Sequence, residues 1–423
     1  MPDLGPLAGW AWSGAMALTG RPDGPPLAAP GDPAGLVSAA LRSFAEGTVA
    51  RTGREPALPG IEILGERAAL AGLHRNAPGS CGGRFRFLPT VDGYAGLSLV
   101  RPEDVDLVPA LVESEGVREE SGIPTPALWR ALAEWAARER TAAVIERIRL
   151  LGLACAEVPD ADAAALPPGD APPPARVVRT GSARTVTERP LILDFSSLWA
   201  GPLCARLLAA TGAEVVKVES RARPDGARRG PSAFFDLLHQ GTSAVAVDLD
   251  DAEELARLRA LVARADLVIE GSRPRALRRW GLDAEAVVDD GTAWVSITAY
   301  GRSSDAIGYG DDVAADAGML AWEDDEPRLC GDALADPVSG AIAADAAARA
   351  LIAGRATLVE VSMRDAMRAA RSLPGPGTHE VTAGDDGWIV HSEGERYPVQ
   401  LPRAPRPAGH GPAIGSGNAR LLT

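Results

Sequence analysis

The stretch LILDFSSLWAGPLCARLLAATGAEVVKVES, residues 191–220, decides the fold. It opens with a short apolar run whose length is typical of a buried strand. Gly201 and Pro202 suit the start of a helix, because proline at the first helical position gives up an N–H that would be unpaired anyway. Gly212 is placed to end that helix, and a second strand follows at 214–218. The stretch therefore predicts a strand, helix, strand unit within a parallel sheet.

The sequence repeats this alternation as far as residue 370. Further strands are predicted at 244–248, 266–270, 293–298 and 358–361, with helices at 231–239, 252–264, 274–280, 336–352 and 363–370. This order favours the α/β class, with an open, doubly wound, mostly parallel, Rossmann-like sheet that binds ligands at the carboxyl ends of its strands. A helix start there favours an anion such as a phosphate, although a scaffold without any ligand fits the stretch equally well. No GxGxxG motif follows the first strand, so the dinucleotide fingerprint is absent.

Composition divides the chain into three parts. Residues 1–157 contain two strand-like runs around a Val-Asp-Gly-Tyr turn and two helices with apolar faces, which predicts a smaller α+β domain. Residues 158–189 are rich in Pro, Ala, Gly and Asp and are interpreted as a partly extended linker. Residues 190–423 are predicted to form the large sheet domain, with an extended, Pro-rich tail from Leu401.

The charge of the chain limits its partners. A net charge of -14 over 423 residues argues against a general binder of nucleic acids or membrane surfaces. An anionic ligand would have to meet local basic clusters, and these are Arg221, Arg223, Arg228 and Arg229, and Arg273, Arg275, Arg278 and Arg279. A solvated charged face explains the same clusters equally well.

The cysteines and the apolar runs bear on compartment and metal binding. The four cysteines lack metal-ligand spacing, so we expect no metal site and a reduced, cytoplasmic protein. The N-terminal apolar run lacks a basic flank and makes a poor signal peptide. No run is long enough, or sufficiently free of charge, to span a membrane.

Seven segments in a fixed order resemble the class III CoA-transferases, the family of formyl-CoA and carnitine-type CoA-transferases. They are LDFSSLWAGPLCARLLAATGAEVVKVE, PDGARRG, FFDLLHQGTSAVAVDL, ADLVIEGSRPRALRRWGL, WVSITAYG, GDALADPVSG and TLVEVSMRDAM, spread across residues 191–370. The front segments LPTVDGYAGLSL and WAARERTAAVIERIRLLGLACAEV are similar to the family's smaller domain, which normally follows the nucleophile segment. Only residues 337–423 follow that segment here, so we expect residues 1–157 to supply the smaller domain from the front.

The resemblance implies an aspartate nucleophile that passes through mixed anhydrides and an aspartyl-CoA thioester. The matching position is Asp336, and a carboxylate suits this task because it is ionised at neutral pH. Asp336 and Pro337 also fit the N-cap and first position of a helix, and both roles can hold at once. Asp332 is the rival nucleophile if the register is displaced.

The resemblance also implies sites for coenzyme A, the only cofactor expected. The matching positions are Trp199, Ala200, Val247, Asp248, Leu249, Asp250, Gly271, Ser272, Arg273 and Arg279. Arginines among them could hold the nucleotide phosphates with bidentate geometry. Family chains commonly carry Asn-x-Gly/Asn-Lys-Arg-Ser where residues 239–243 here read HQGTS, so one basic contact is missing.

These matches predict an enzyme that moves CoA from an acyl-CoA to a carboxylic acid acceptor. One alternative is a non-catalytic CoA-binding homologue or partner subunit. A second is an acyl-CoA racemase, whose acid–base histidine would lie in a Gly-His-Asp segment, but residues 309–312 read YGDD and no histidine occurs between His239 and His379. By resemblance we expect a homodimer, interlocked in the manner of the family, that binds neither nucleic acid nor membrane.

Overall fold

The computed structural model describes residues 4–114, 119, 121–161, 171–272 and 274–422. No helix in these ranges is both long and apolar enough to cross a membrane. The helices are α1 (Pro6–Trp12), α2 (Pro33–Thr52), α3 (Glu66–Ala71), α4 (Pro102–Asp106), α5 (Val108–Val112), α6 (Pro126–Ala136), α7 (Thr141–Leu150), α8 (Ala200–Ala209), α9 (Ser232–His239), α10 (Ala252–Arg264), α11 (Pro274–Arg278), α12 (Ala284–Asp289), α13 (Gly310–Asp316), α14 (Ala335–Ile352), α15 (Met363–Ser372) and α16 (Asn418–Leu421). The strands are β1 (Phe85–Thr90), β2 (Gly93–Ser98), β3 (Ala154–Glu157), β4 (Ala175–Ala183), β5 (Leu191–Asp194), β6 (Glu214–Ser220), β7 (Ser243–Val247), β8 (Leu267–Glu270), β9 (Ala293–Thr298), β10 (Leu320–Glu323), β11 (Glu326–Leu329), β12 (Arg355–Ser362), β13 (Glu380–Gly384), β14 (Gly387–Ser392) and β15 (Glu395–Pro398).

The large sheet has the predicted parallel architecture. In the described residues its order is β4-β12-β9-β8-β5-β6-β7, and every neighbouring pair is parallel except β4 with β12. The order reverses at β5, which pairs with β6 on one side and with β8 on the other. Ligands of doubly wound sheets bind in the crevice beyond such a reversal. The predicted fold class is therefore confirmed, and the turn after β5 lies at the switch point.

Helix α14 is the centre of the core on one face of the sheet. Its sequence is rich in alanine, and it packs against α2 on one side and α8 on the other. Gly340 permits the second contact, because a Cβ at this position would lie 2.7 Å from the carbonyl oxygen of Ala200. Close helix packing of this kind depends on small residues at the crossing. Leu258 and Val262 of α10 belong to a separate apolar cluster that includes Val268 and Trp294 from β8 and β9.

The front of the chain divides between two packing environments. Strands β1, β2 and β3 form an antiparallel sheet, which confirms the hairpin predicted around the Val-Asp-Gly-Tyr turn. Its residue Leu97 shares an apolar cluster with Leu132 of α6 and Ile148 of α7. Helices α1 and α2 belong instead to the main core, where Val37 and Phe44 are fully buried beside α14. The domain boundary at residue 157 stays a prediction.

The segment predicted to be a linker contains an unpredicted strand. Within residues 158–189, β4 pairs antiparallel with β12 at the edge of the large sheet. Its side chains are mostly exposed, and Arg176 and Arg179 form ion pairs with Glu360 and Asp289. The strand was missed because its polar, Gly-containing composition is that of an exposed edge strand, which needs no apolar run.

The tail from Leu401 covers the opposite edge of the sheet. The side chain of Asn418 donates to the carbonyl of Ala246 in β7 (2.7 Å) and accepts from its N–H (2.9 Å). The N–H of Gly417 donates to the carbonyl of Ala244 at 2.7 Å. The tail, predicted to be extended, thus bonds to the free edge of β7 where another strand would otherwise pair. It ends in the short helix α16.

Candidate active site

A buried lysine fixes the turn between β5 and α8. The ammonium of Lys217 donates to the carbonyl of Ser196 (2.9 Å) and forms an ion pair with Asp225 (2.8 Å), with Asp194 at 3.8 Å. The three charged side chains are fully buried. Burial alone lowers the pKa of Lys217, but the two carboxylates outweigh it and raise this pKa. Asp225 also accepts the N–H of Leu198 (3.0 Å), a residue held at φ +69° just before the helix.

Trp199 lies under an arginine from the front of the chain. Its indole is 2% exposed and meets the ring of Phe234 edge-on at 5.3 Å. The guanidinium of Arg67 stands 5.4 Å from the indole centroid, a cation–π distance. The indole N–H is buried and has no acceptor among the described residues. A buried donor without a partner is costly, so Trp199 can supply a hydrogen bond to a ligand atom.

Asp336 contacts the start of α8. Its carboxylate accepts the backbone N–H of Ala200, the first residue of that helix. A Cβ on Gly310 would overlap the same carboxylate, so glycine allows the start of α13 to approach it. The side chain of Asp336 is half-buried. The expected N-cap role is wrong, because α14 begins at Ala335 and no side chain caps it. The carboxylate instead bonds to a neighbouring helix.

Asp332, the rival nucleophile, is engaged by Arg67. Both guanidinium contacts are short, with Nε at 2.9 Å and Nη2 at 2.5 Å from the two carboxylate oxygens. The side chain of Asp332 is fully buried. A bidentate ion pair holds both oxygens in one orientation, which disfavours attack on a substrate. Of the two candidates, Asp336 is the more accessible.

Three carboxyl groups share this single arginine, and we call Asp311, Asp332 and Asp336 the aspartate cluster. Asp311 accepts the N–H of Ala333 at 2.9 Å. Burial raises the pKa of Asp336 to about 7, Arg67 opposes this rise, and the other two carboxylates add to it. Burial, with Asp332 beside it, likewise raises the pKa of Asp311 to about 6. Asp336 therefore changes charge close to neutral pH.

Sequence reasoning missed Arg67 and the role of Asp311. Arg67 lies on α3, 265 residues from its partner Asp332, and no local pattern marks a pair at that separation. Asp311 belongs to the YGDD segment, which we compared only with a Gly-His-Asp motif. Two adjacent acids in an otherwise apolar segment were the one available signal, since carboxylates are rarely buried without a partner.

The predicted CoA positions at β5 and β8 come together. Trp199 and Ala200 follow β5, and a Cβ on Gly271 would lie 3.1 Å from that of Ser196 in the same turn. Ser272 donates to Glu270 at 3.1 Å. Arg279 is exposed and has no ion pair among the described residues. Arg273 lies outside the described residues.

The positions after β7 lie farther along the same edge. Val247 is buried at the end of β7, two strands from β5, which corresponds to about 10 Å. Asp248 and Asp250 are exposed, and the N–H of Asp250 donates to the Asp248 carboxylate at 3.0 Å. Leu249 packs against the apolar cluster that contains Leu258. This acidic loop suits the hydroxyl or amino groups of a nucleotide better than its phosphates.

Four of the eight arginines of the two basic clusters already have acidic partners. Arg221 pairs with Glu254, Arg228 with Glu219, Arg275 with Asp305, and Arg278 with Asp283 and Glu285. In the described part of the chain this leaves Arg223, Arg229 and Arg279 without an ion pair. Any phosphate contact would come first from these three.

His239 is placed as a core residue. It is 1% exposed and its ring packs 4.5 Å from that of Phe235. Burial lowers the pKa of His239 to about 2, and Lys217 adds to this effect. The imidazole therefore stays neutral near pH 7 and cannot donate as an acid there. His239 therefore does not fit the acid–base histidine that the racemase alternative requires.

The described residues enclose cavities of about 490 and 310 Å³. The larger is lined by Glu66, Arg206 and Arg403, among others, and the smaller lies beside β1 and α6. Asp336 lines neither of them. Within the aspartate cluster, Asp311 and Asp336 are partly exposed and Asp332 is buried.

The family comparison agrees with the predicted resemblance. Residues 190–380 match the family model described as CoA-transferase family III. This segment runs from β5 to the start of β13 and includes Trp199, Ala200 and Asp336. This match confirms the resemblance predicted from the motif order.

Curated relatives match the same part of the chain. A succinyl-CoA–D-citramalate CoA-transferase of Chloroflexus aurantiacus is 29% identical over 36% of this chain and 42% of its own length. A succinate–glutarate CoA-transferase of Agrobacterium fabrum is 29% identical over 42% of this chain and 51% of its own length. A probable fatty acyl-CoA transferase of Mycobacterium tuberculosis is 31% identical over 41% of this chain and 49% of its own length. The chain spans about half the length of these curated relatives.

One of the similar solved structures is a crystal structure of a Mycobacterium tuberculosis protein. It is 26% identical to this chain and covers 50% of it, which corresponds to 64% of the other chain, with a TM-score of 0.43. The sheet order given above defines the fold independently of this overlap.

Proposed function

We propose that the protein is a CoA-transferase that moves CoA from an acyl-CoA to a carboxylic acid, with Asp336 as the nucleophile. One observation carries the proposal. The Asp336 carboxylate is half-buried, forms no ion pair among the described residues, and accepts the N–H of Ala200 at the switch point of the sheet. A carboxylate in this position can meet a thioester whose nucleotide rests on the neighbouring turns.

The reaction can be written with Asp336 unchanged at the end. Its carboxylate attacks the thioester carbonyl, which forms a mixed anhydride and releases CoA as a thiolate. The thiolate then attacks the aspartyl carbonyl, which releases the donor acid and forms an aspartyl-CoA thioester. The acceptor carboxylate attacks this thioester to give a second anhydride and free thiolate. Attack of the thiolate on the acyl carbonyl of that anhydride forms the new acyl-CoA and restores Asp336.

The surroundings of Asp336 support the charges that develop in each step. The N–H of Ala200 and the positive end of α8 stabilise negative charge on the aspartyl oxygens. Gly310 lets the N-terminal backbone of α13 approach the same carboxylate, and its N–H groups are further candidate donors for a tetrahedral oxyanion. The free indole N–H of Trp199 is a further donor for a carbonyl oxygen of the substrate.

We place the CoA nucleotide along the carboxyl edge of the sheet. Arg279, Arg229 and Arg223 are the unpaired cations for its phosphates. Residues 247–250 would accept the adenosine hydroxyl and amino groups. The relatives are named for succinyl, glutarate, citramalate and fatty acyl groups, so donors and acceptors from each of these classes form the first panel to test. We expect a homodimer, which light scattering on the purified protein would check.

The direct test is turnover by the wild type and by Asp336→Ala. Each donor acyl-CoA is incubated with each acceptor acid, and the new acyl-CoA is followed by liquid chromatography. Asp332→Asn is the matched control, since it changes an acid of the same cluster. We expect loss of transfer in Asp336→Ala and residual transfer in Asp332→Asn. Full activity of Asp336→Ala would refute the assignment.

A second candidate, a CoA-binding homologue without turnover, rests on a specific observation. Four arginines of the basic clusters are occupied by acids, and Asp336 lines neither cavity. Calorimetry with CoA separates the two candidates. Binding without any product across the whole panel would favour the homologue, whereas a burst of acyl-enzyme would remove it.

A further inference from the structure

A second cavity with the character of a ligand site lies between the small antiparallel sheet and the β10–β11 hairpin. It encloses about 310 Å³, a volume within the range of small-molecule pockets. Arg86 and Phe87 of β1, Tyr94 of β2, Trp129 of α6 and Arg328 of β11 contribute to its walls. None of these residues contacts Asp336.

Arg86 is the one uncompensated charge among the three arginines of this cavity, as far as the described residues show. Arg328 pairs with Glu323 (3.2 Å) and Glu326 (2.7 Å), and Arg21 pairs with Glu323 and Asp324 (both 3.2 Å). Arg86 forms neither an ion pair nor a side-chain hydrogen bond in the same ranges, and its Nε is buried without an acceptor. Burial lowers the pKa of Arg86, and no carboxylate opposes this change.

The rest of the wall consists of Glu326, which is paired with Arg328, and of apolar residues that include three aromatic rings. The Cζ of Arg86 stands 5.7 Å from the Trp129 ring centroid, so the indole supports the guanidinium from one side. Trp129 is 3% exposed and Phe87 is 6% exposed, which fixes both rings in place. An apolar group in the cavity can contact these rings and place its polar end beside the guanidinium.

We infer that this cavity binds a small organic carboxylate with a flat apolar body. The buried Nε of Arg86 has no acceptor among the described residues, which is unfavourable, and a carboxylate offers the two oxygens that match the donors of a guanidinium. The aromatic walls take the apolar body of the ligand. The chemistry recognised is that of an aryl carboxylate, and the site is separate from the aspartate cluster.

Fluorine NMR with 4-fluorobenzoate as the probe tests the inference on the full chain. The neutral isostere 4-fluorobenzamide measures the contribution of the charge. The variants are Arg86→Gln, which removes the cation, and Ala133→Leu, which fills the cavity from α6 and keeps Arg86. Arg130→Gln, an exposed arginine on the same helix, is the matched control. Asp336→Asn separates this cavity from the aspartate cluster.

We expect the wild type, Arg130→Gln and Asp336→Asn to bind 4-fluorobenzoate at least tenfold more tightly than the amide. Arg86→Gln should lose at least tenfold in affinity for the acid, and Ala133→Leu should weaken the binding of both probes. The inference is overturned if acid and amide bind equally, if either cavity variant binds like the wild type, or if the wild type binds no probe at 5 mM. Loss of binding in Asp336→Asn alone would place the probe at the aspartate cluster and also overturn it. If Arg86→Gln does not fold, as judged by circular dichroism, the Ala133→Leu result decides.

Discussion

The backbone N–H of Ala200, the first residue of α8, donates to the carboxylate of Asp336 in the first turn of α14. This bond joins the turn after β5 to the helix that carries the proposed nucleophile. Two separate features maintain it: the Lys217 network that fixes the turn, and the close crossing of α8 and α14 at Gly340. Activity should therefore depend on the geometry of this crossing as well as on the carboxylate.

The rate of acyl transfer should rise with pH through about 7. Asp336 must be ionised to attack, and burial raises the pKa of Asp336 to about 7. Removing Arg67 should raise this pKa further, because Arg67 favours the ionised form. The double variant Arg67→Gln/Asp332→Asn avoids leaving a buried carboxylate alone. Arg67 lowers the pKa of Asp336 more than Asp332 raises it, so we expect the kcat/KM profile of the double variant to shift to higher pH, and an unshifted profile would contradict this role of Arg67. Arg130→Gln serves as the control.

Adding one methyl group at the helix crossing should reduce both stability and activity. In Gly340→Ala the new Cβ would lie 2.7 Å from the Ala200 carbonyl oxygen and 3.0 Å from the Leu203 side chain. Such overpacking costs about 1–3 kcal/mol of unfolding free energy. Urea unfolding and turnover measure the two effects. Gly409→Ala is the control, because nothing lies within 4 Å of a Cβ there; equal behaviour of the two variants would contradict the argument.

The fully buried Asp312 should make the protein less stable as pH rises. Burial raises the pKa of Asp312 to about 8, although Ser98 donates to it at 2.6 Å. The folded state then binds a proton that the unfolded chain has released above about pH 4, so Asp312 alone lowers stability by about 1.4 kcal/mol per pH unit between roughly pH 4 and 8. Asp312→Asn should reduce the slope by this amount and leave the contributions of Asp311 and Asp336, and urea unfolding across that range measures the change. Asp250→Asn, at an exposed position, should leave the slope as in the wild type. An unchanged slope in Asp312→Asn would contradict the burial argument.

The single lysine should react only after unfolding. Lys217 is the one lysine of the sequence, and its side chain is fully buried between Asp194 and Asp225. An amine-reactive ester followed by peptide mass spectrometry should leave Lys217 unmodified under native conditions and modify it in urea. The midpoint of labelling should coincide with that of global unfolding. Rapid labelling of the native protein would show that the turn after β5 opens locally.

The sequence predicted the parallel sheet because each of its parallel strands carries its own apolar run. Strand β4 lacked this signal, since its exposed side chains are held by ion pairs such as Arg179 with Asp289. The same reasoning explains the basic clusters. Arg221 and Arg228 were visible in the sequence, but their pairing with Glu254 and Glu219 depends on the fold.

The candidate site was predictable only where its motif is local. Trp199, Ala200 and Asp336 stand within segments that resemble a family, so their positions could be named in advance. Arg67 belongs to a short helix near the front, and its contact with Asp332 requires that front to pack on the large sheet. The expected N-cap role of Asp336 failed because α14 begins at Ala335, ahead of the expected first position at Pro337. A backbone donor from α8 also competes for the carboxylate.

The central claim is that Asp336 carries the acyl group and then CoA. The most direct test incubates the protein with an acyl-CoA that it turns over, quenches with hydroxylamine and maps the peptides by mass spectrometry. An aspartyl thioester or anhydride at Asp336 would be converted to a hydroxamate, and we predict this mass change on the peptide that contains Asp336, absent from Asp336→Ala. A hydroxamate at Asp332 instead, or continued turnover by Asp336→Ala, would contradict the account.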